Sequence, residues 1–138
     1  MNAKEYLGQA YRIDQRINSK LEQVMSLRSL ATKATSTLRH DNSRPTNSTH
    51  SFEDVIAKII DLENEINHDI DRLVDTKREI MATIKRIQNP EHQALLELRY
   101  INCKTWEQIA TVMLYSVRNT HVLHGAALRE VAKVKMPG

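Results

Sequence analysis

Apolar residues recur along the first third of the chain at steps of three and four: Leu7, Ala10, Ile13, Ile17, Leu21, Val24, Leu27, Ala31, Ala34 and Leu38. At 3.6 residues per turn that spacing forms one stripe of a helix, predicted from about residue 3 to 38. The stripe is narrow and nearly heptad, closer to a coiled-coil seam than to a broad globular face. Tyr6 and Tyr11 flank it. A second run steps the same way through Phe52, Val55, Ile59, Leu62, Ile66, Ile70, Leu73, Ile80, Ile84 and Ile87, with a gap near Thr76 and Lys77. It predicts a helix over 52–88. Between the two, residues 40–51 read HDNSRPTNSTHS, with no apolar side chain except Pro45. That composition predicts a loop, with Ser51 placed to cap the second helix. Two long helices around a 12-residue loop are expected to fold back as an antiparallel hairpin.

Asn89-Pro90 ends this pattern, because proline disfavours helical geometry in the residue before it and suits the first turn of a new helix. The expected division is a hairpin over 1–88 and a second domain over 89–138. The second domain holds two short helices around a tight turn. The first runs from Thr105 to Met113, with Thr105 as N-cap and Gln108 at the reciprocal capping-box position. The second starts at Ser116, another N-cap residue, and runs through His121 and Leu128. Only Leu114 and Tyr115 lie between them, the spacing of a helix-turn-helix. Leu95, Leu98, Trp106, Ile109, Ala110, Met113, Val117, Leu128 and Val131 fall at core spacing, with Trp106 as the expected anchor. The final Met136, Pro137 and Gly138 are expected to fray.

Composition supports an all-α fold. Aromatics make up 4% of the chain, and there are three Gly and three Pro, which suits long helices and argues against a sheet protein. A single cysteine, Cys103, excludes an internal disulfide framework and suits a reducing compartment. No apolar run resembles a signal peptide or reaches membrane-spanning length, so a soluble cytoplasmic protein with no membrane partner is expected. The formal charge of +3 is unevenly placed: residues 1–51 carry +4, residues 52–88 carry −3 and residues 89–138 carry +2. Folding back would set the basic first helix beside the acidic start of the second, Lys33 and Arg39 near Glu53, Asp54 and Asp61. So narrow a seam gives little core. It is expected to need a third element, either the C-terminal domain or a second copy of the chain, and a homodimer is the favoured answer.

The start of the last helix offers Arg118, Asn119, His121 and Val122 to DNA. Arginine suits guanine O6 and N7, asparagine suits adenine N6 and N7, and Val122 suits a thymine methyl. Thr105 and Ser116 sit at helix N-termini, where free N–H groups favour phosphate. Lys104, Arg129, Lys133 and Lys135 would add phosphate contacts. His121 and His124 have a spacing that can bind metal, and Cys103 is near in sequence, but no further ligand motif accompanies them, and no metal or cofactor is expected. Asp69 and Asp71 read as part of a solvated or paired face. No phosphate-binding glycine loop or nucleophile motif occurs, so enzymatic activity is not expected.

The run LLELRY, Leu95 to Tyr100, followed by TWEQIA, Thr105 to Ala110, and YSVRNTHVLHGAAL, Tyr115 to Leu128, resembles region 4 of the sigma-70 class of bacterial transcription factors. With its N-terminal MNAKEYLGQAYRIDQRINSKLEQV, nearly the whole chain resembles a family of small sigma-region-4-like proteins. These are encoded by phages and prophages of Gram-positive bacteria and resemble late-gene activators of the ArpU and RinA kind. The resemblance implies promoter DNA as ligand, transcriptional control as function and host RNA polymerase as a further partner. Three positions depart from the pattern: Leu114 stands where a glycine is common, Thr120 where an apolar residue is usual, and Val122 where a polar or basic one is usual. Two other functions fit the same residues. One is a module whose hairpin binds a protein partner, with the helix-turn-helix as scaffold. The other is a DNA-packaging protein like a terminase small subunit.

Overall fold

A computed structural model describes residues 1–33 and 52–135 in full, and the helical backbone of 34–40 and 45–51. The fold is all-α, and no strand occurs among the described residues. The helices are α1 (Ala3–Leu7), α2 (Gln9–His40), α3 (Pro45–Lys85), α4 (Pro90–Leu96), α5 (Trp106–Met113) and α6 (Val117–Lys135), with a π-helical turn, Glu97–Ile101, after α4.

Three boundaries differ from the periodicity reading. The first long helix is interrupted at Gly8, so that α1, capped by the Asn2 side chain on the Glu5 N–H, forms a separate turn. The second begins at Pro45, so Ser51 lies inside α3 and not at its start. Proline is suited to a first helical turn, and the polar residues after it carry no apolar signal for periodicity to detect. Of the expected loop over 40–51, residues 41–44 lie outside the described residues, as do Met136, Pro137 and Gly138. The third difference is at the end of α3, which stops at Lys85. Arg86 and Ile87 donate to the Thr83 and Ile84 carbonyls and tighten the last turn before Asn89.

The chain divides into two compact units: Met1–Ile13 with Arg72–Gly138, and Asp14–Asp71. The boundary expected at Asn89-Pro90 therefore falls inside the first unit. The reason is apolar burial. Leu95, Leu96, Ile109, Ala127 and Val131 of the C-terminal helices share one core with Ala3, Tyr6, Leu7 and Ala10 from the N-terminus, with Ile80 and Ile84 of α3 and with Ile87 just beyond it. Each large side chain fully buried there contributes about 1.5–3 kcal/mol. The Tyr6 hydroxyl meets Thr83 Oγ1 at 2.9 Å, so the polar tip of that core is satisfied. Leu95, Ile109, Ala110 and Val131 are buried as their spacing predicts. Leu98, Trp106, Met113 and Leu128 are half-buried, and Val117 is exposed.

The second unit has a thinner interior. Among the described residues, its buried apolar side chains are Ile17, Val24 and Ala31 from α2, and Ile59 and Ile66 from α3. Two side chains expected in this seam, Leu21 and Ile70, are exposed. Their places are taken by their sequence neighbours Lys20 and Asp69, whose charged atoms pair at 2.7 Å. Of the solvated or paired face expected there, Asp69 is a paired carboxylate, and it is buried, while Asp71 is exposed. Lys20 also reaches Glu65 at 3.6 Å, and Arg28 reaches Glu63 at 2.8 Å. The side chain of Arg39, expected near Glu53, lies outside those described.

Candidate nucleic-acid interface

The α5–turn–α6 unit is built by its caps. Thr105 Oγ1 accepts from the Gln108 N–H at 3.2 Å, while Gln108 Oε1 accepts from the Thr105 N–H at 2.9 Å, completing the capping box read from the sequence. Leu114 ends α5 in the left-handed region, φ 61° and ψ 38°, where its N–H donates back to the Ala110 and Thr111 carbonyls. It is 90% exposed, so the strain has no burial to offset it. Tyr115 then donates its N–H to the Ala110 carbonyl, and its hydroxyl reaches Glu91 at 2.7 Å, fastening the turn to α4. Glu91 in turn raises the Tyr115 pKa above its ordinary value, because its carboxylate accepts a hydrogen bond from the protonated phenol. Ser116 Oγ accepts from the Asn119 N–H at 3.0 Å and caps α6.

Thr120 explains how a polar residue occupies an apolar position. It is fully buried, and its hydroxyl donates to the Ser116 carbonyl at 2.8 Å, one turn back. The hydroxyl is satisfied inside its own helix, and its methyl is left for packing.

The seven residues expected to contact DNA are Thr105, Ser116, Arg118, Asn119, His121, Val122 and Arg129. All seven are solvent-exposed. Arg118, Val122 and Arg129 are separated by four and seven residues, one face of α6, with Asn119 beside Val122 one turn back. Ser116 spends its acceptor on the cap, and the N–H groups of Asn119 and Thr120 are engaged by Ser116. His121 is not free of the protein: its ring lies 4.5 Å from that of Trp106.

Trp106 is the centre of a packed cluster. The Arg99 guanidinium sits 4.5 Å over its ring, and His124 meets it edge-on at 4.6 Å. His124 is buried, and its Nε2 lies 2.6 Å from the Tyr100 hydroxyl. Burial, with Lys4, Arg99 and His121 nearby, pushes the His124 pKa down to about 4. Burial also pushes Tyr100 up to about 12, with Arg99 opposing the rise. The pair is therefore a neutral imidazole accepting from a neutral phenol. The spacing of His121 and His124 reflects this packing. Cys103 is exposed, in left-handed geometry at φ 55°, and no group of three metal-ligating side chains occurs among the described residues.

Two features here have no sequence signal. The π-helical turn, closed by the Asn102 N–H on the Glu97 carbonyl at 3.0 Å, precedes the Cys103 turn that leads into α5. Glu130 of α6 closes the break between α3 and α4. Its Oε1 accepts from the Gln88 and Asn89 N–H groups at 3.0 and 3.4 Å, and its Oε2 meets His92 Nδ1 at 2.6 Å. The His92 contact, with these backbone donors, holds the Glu130 carboxyl below its ordinary pKa, against a smaller opposing push from burial.

Fold and surface together define a small all-helical protein whose C-terminal helices form a capped α5–turn–α6 unit with an exposed polar and basic face. Residues 33–132 match the model of a family described as "Protein of unknown function (DUF1492)", and the chain belongs to that family. No curated protein and no solved structure matches the chain. No helix among the described residues is long and apolar enough to cross a membrane.

Proposed function

We propose that the chain is a DNA-binding transcriptional regulator in which α5 and α6 act as a sigma-region-4-like helix-turn-helix and α2 and α3 form an antiparallel hairpin. The observation that carries the reading is the exposed face at the start of α6: Arg118, Asn119 and Val122 stand free of the core just beyond a capped helix N-terminus, with Arg129 further along. Arg118 and Asn119 would read base edges in the major groove, Val122 would meet a thymine methyl, and Arg129 and Lys133 would hold phosphates. Thr105 and Ser116 would hold phosphate at the starts of the two helices. His121 would serve partly as a wall, since Trp106 holds its ring. The resemblance to sigma region 4 adds promoter DNA, host RNA polymerase and phage late-gene activation as the setting, in the bacterial cytoplasm.

The test is recovery of fragmented phage and host DNA on the immobilised protein at two salt concentrations. Phosphate-only binding collapses steeply with salt, whereas a specific site persists. The expected result is enrichment of one intergenic fragment, lost in Arg118→Ala/Asn119→Ala. Enrichment that the double variant retains would refute direct readout by these residues. A second reading, a module whose hairpin binds a protein partner with the helix pair as scaffold, is favoured by apolar side chains left exposed on α2 and α3, Met25, Leu30 and Ile60. No enrichment at either salt would favour it.

A further inference from the structure

We infer that one face of the Asp14–Asp71 unit is a docking surface for a second copy of this chain. Along α2, Leu21, Met25 and Arg28 step by four and three; along α3, Ile60, Glu63 and Ile70 step by three and seven. Each set is a heptad stripe lying beside the buried seam. The 2.8 Å ion pair between Arg28 and Glu63 joins the stripes, so both border the same face. That face leaves Leu21, Met25, Ile60 and Ile70 exposed by 45%, 69%, 54% and 42%. Two of them are there because the Lys20–Asp69 pair occupies the seam positions beside them.

Three observations favour a second copy as the occupant. The first is charge. A two-fold interface sets a surface against itself, so any net charge on it is repelled by its own copy. The charged residues joining these stripes, Arg28 and Glu63, neutralise each other. The groove formed by Glu22, Lys58, Asp61 and Glu65 has three acidic side chains and one basic, a surface that repels its copy. The second is the thin interior. Five buried apolar side chains among the described residues of its two long helices give a small core, and a second pair of helices would complete a four-helix arrangement. The third is area. Helical stretches of about 20 residues are ~30 Å long. Two such stretches side by side present a face of about 600 Å² in projection, near the ~800 Å² of accessible surface that each partner of a stable complex buries.

Sedimentation equilibrium of the full chain, with Met25→Glu and Glu22→Lys beside it, tests the surface. Met25 is the most exposed of the four, so a charge there leaves the interior of the unit undisturbed, and circular dichroism checks that helix content is retained. The wild type is expected to sediment at twice 15.9 kDa at micromolar concentration. Met25→Glu is expected to weaken the dimer at least tenfold, and Glu22→Lys, on the groove, to leave it dimeric. A monomeric wild type at 100 μM would overturn the inference and leave the face to a different partner. So would a Met25→Glu dimer as tight as the wild type, which would place the contact elsewhere.

Discussion

Acidification should weaken this protein through one buried imidazole. His124 is 7% exposed, with Nε2 held 2.6 Å from the Tyr100 hydroxyl. Its pKa in the folded chain is about 4, against 6.5 ordinarily. Because the folded value is depressed, the unfolded chain takes up the proton first. The contribution of the neutral imidazole is fully present above about pH 6.5 and declines as pH falls toward about 4. A tenfold difference in proton affinity between the folded and unfolded chain is worth about 1.4 kcal/mol, so the loss is about 2 kcal/mol at pH 5 and about 3 kcal/mol near pH 4. Against a typical stability of about 5–15 kcal/mol, that is a large fraction. Urea unfolding followed by circular dichroism at pH 7.5 and pH 5 measures it. The comparison is His124→Gln, which keeps an oxygen acceptor for Tyr100 and cannot titrate. The variant should be less stable at pH 7.5 yet lose about 2 kcal/mol less than the wild type between the two pH values. Equal losses in the two proteins would refute the buried neutral imidazole, because every other titrating group is common to both.

Two further substitutions test the local physics. Leu114→Gly should stabilise the fold by about 0.5–1 kcal/mol: a left-handed residue with a Cβ costs about 1–2 kcal/mol, and the freer unfolded chain of glycine takes back about 0.4–1 kcal/mol. A melting temperature that falls instead of rising by about 2–4 °C would show that the exposed leucine has a contact in solution that outweighs the strain. Glu130→Gln should cost about 1–2 kcal/mol at neutral pH, because it removes a charged acceptor shared by two backbone N–H groups and His92. The Glu130 pKa is depressed, so this difference is present above about pH 4.5 and should shrink as the pH falls through the folded value. An unchanged urea midpoint at pH 7 would mean that water replaces the carboxylate without loss.

The local chemistry of the candidate interface was legible in the residues. Thr105 with Gln108, Ser116, and Asn89 before Pro90 each announce a helix start, and each side chain makes its cap. Leu114 was legible as a left-handed position through the resemblance, as the place where a glycine is common at the end of a helix. Contacts between distant segments were not. Glu130 is an ordinary glutamate on a helix until the end of α3 brings it two unpaired N–H groups. His121 and His124 share an i,i+3 spacing, yet one ring lies exposed against Trp106 and the other is buried against Tyr100. Which environment each receives depends on the π-helical turn that positions Tyr100, and no composition or spacing marks that turn.

The register of the long helices was ambiguous for a different reason. Apolar residues stand at both Leu21 and Val24, and at both Ile66 and Ile70, so two adjacent heptad stripes compete for the seam. Hydrophobicity alone places Leu21 and Ile70 inside. The structure instead buries Asp69 with Lys20 and leaves the two apolar neighbours outside. A buried ion pair is weak support for stability, since desolvation offsets much of its attraction. Its better-attested effect is on register, because a slip of one position would leave the Asp69 carboxylate without its ammonium. Lys20→Leu with Asp69→Leu would remove that constraint and let either stripe face inward. If the outer stripe docks a second copy, losing the ion pair should therefore blur the oligomeric state as well as the fold, whereas a seam held by shape alone would keep both.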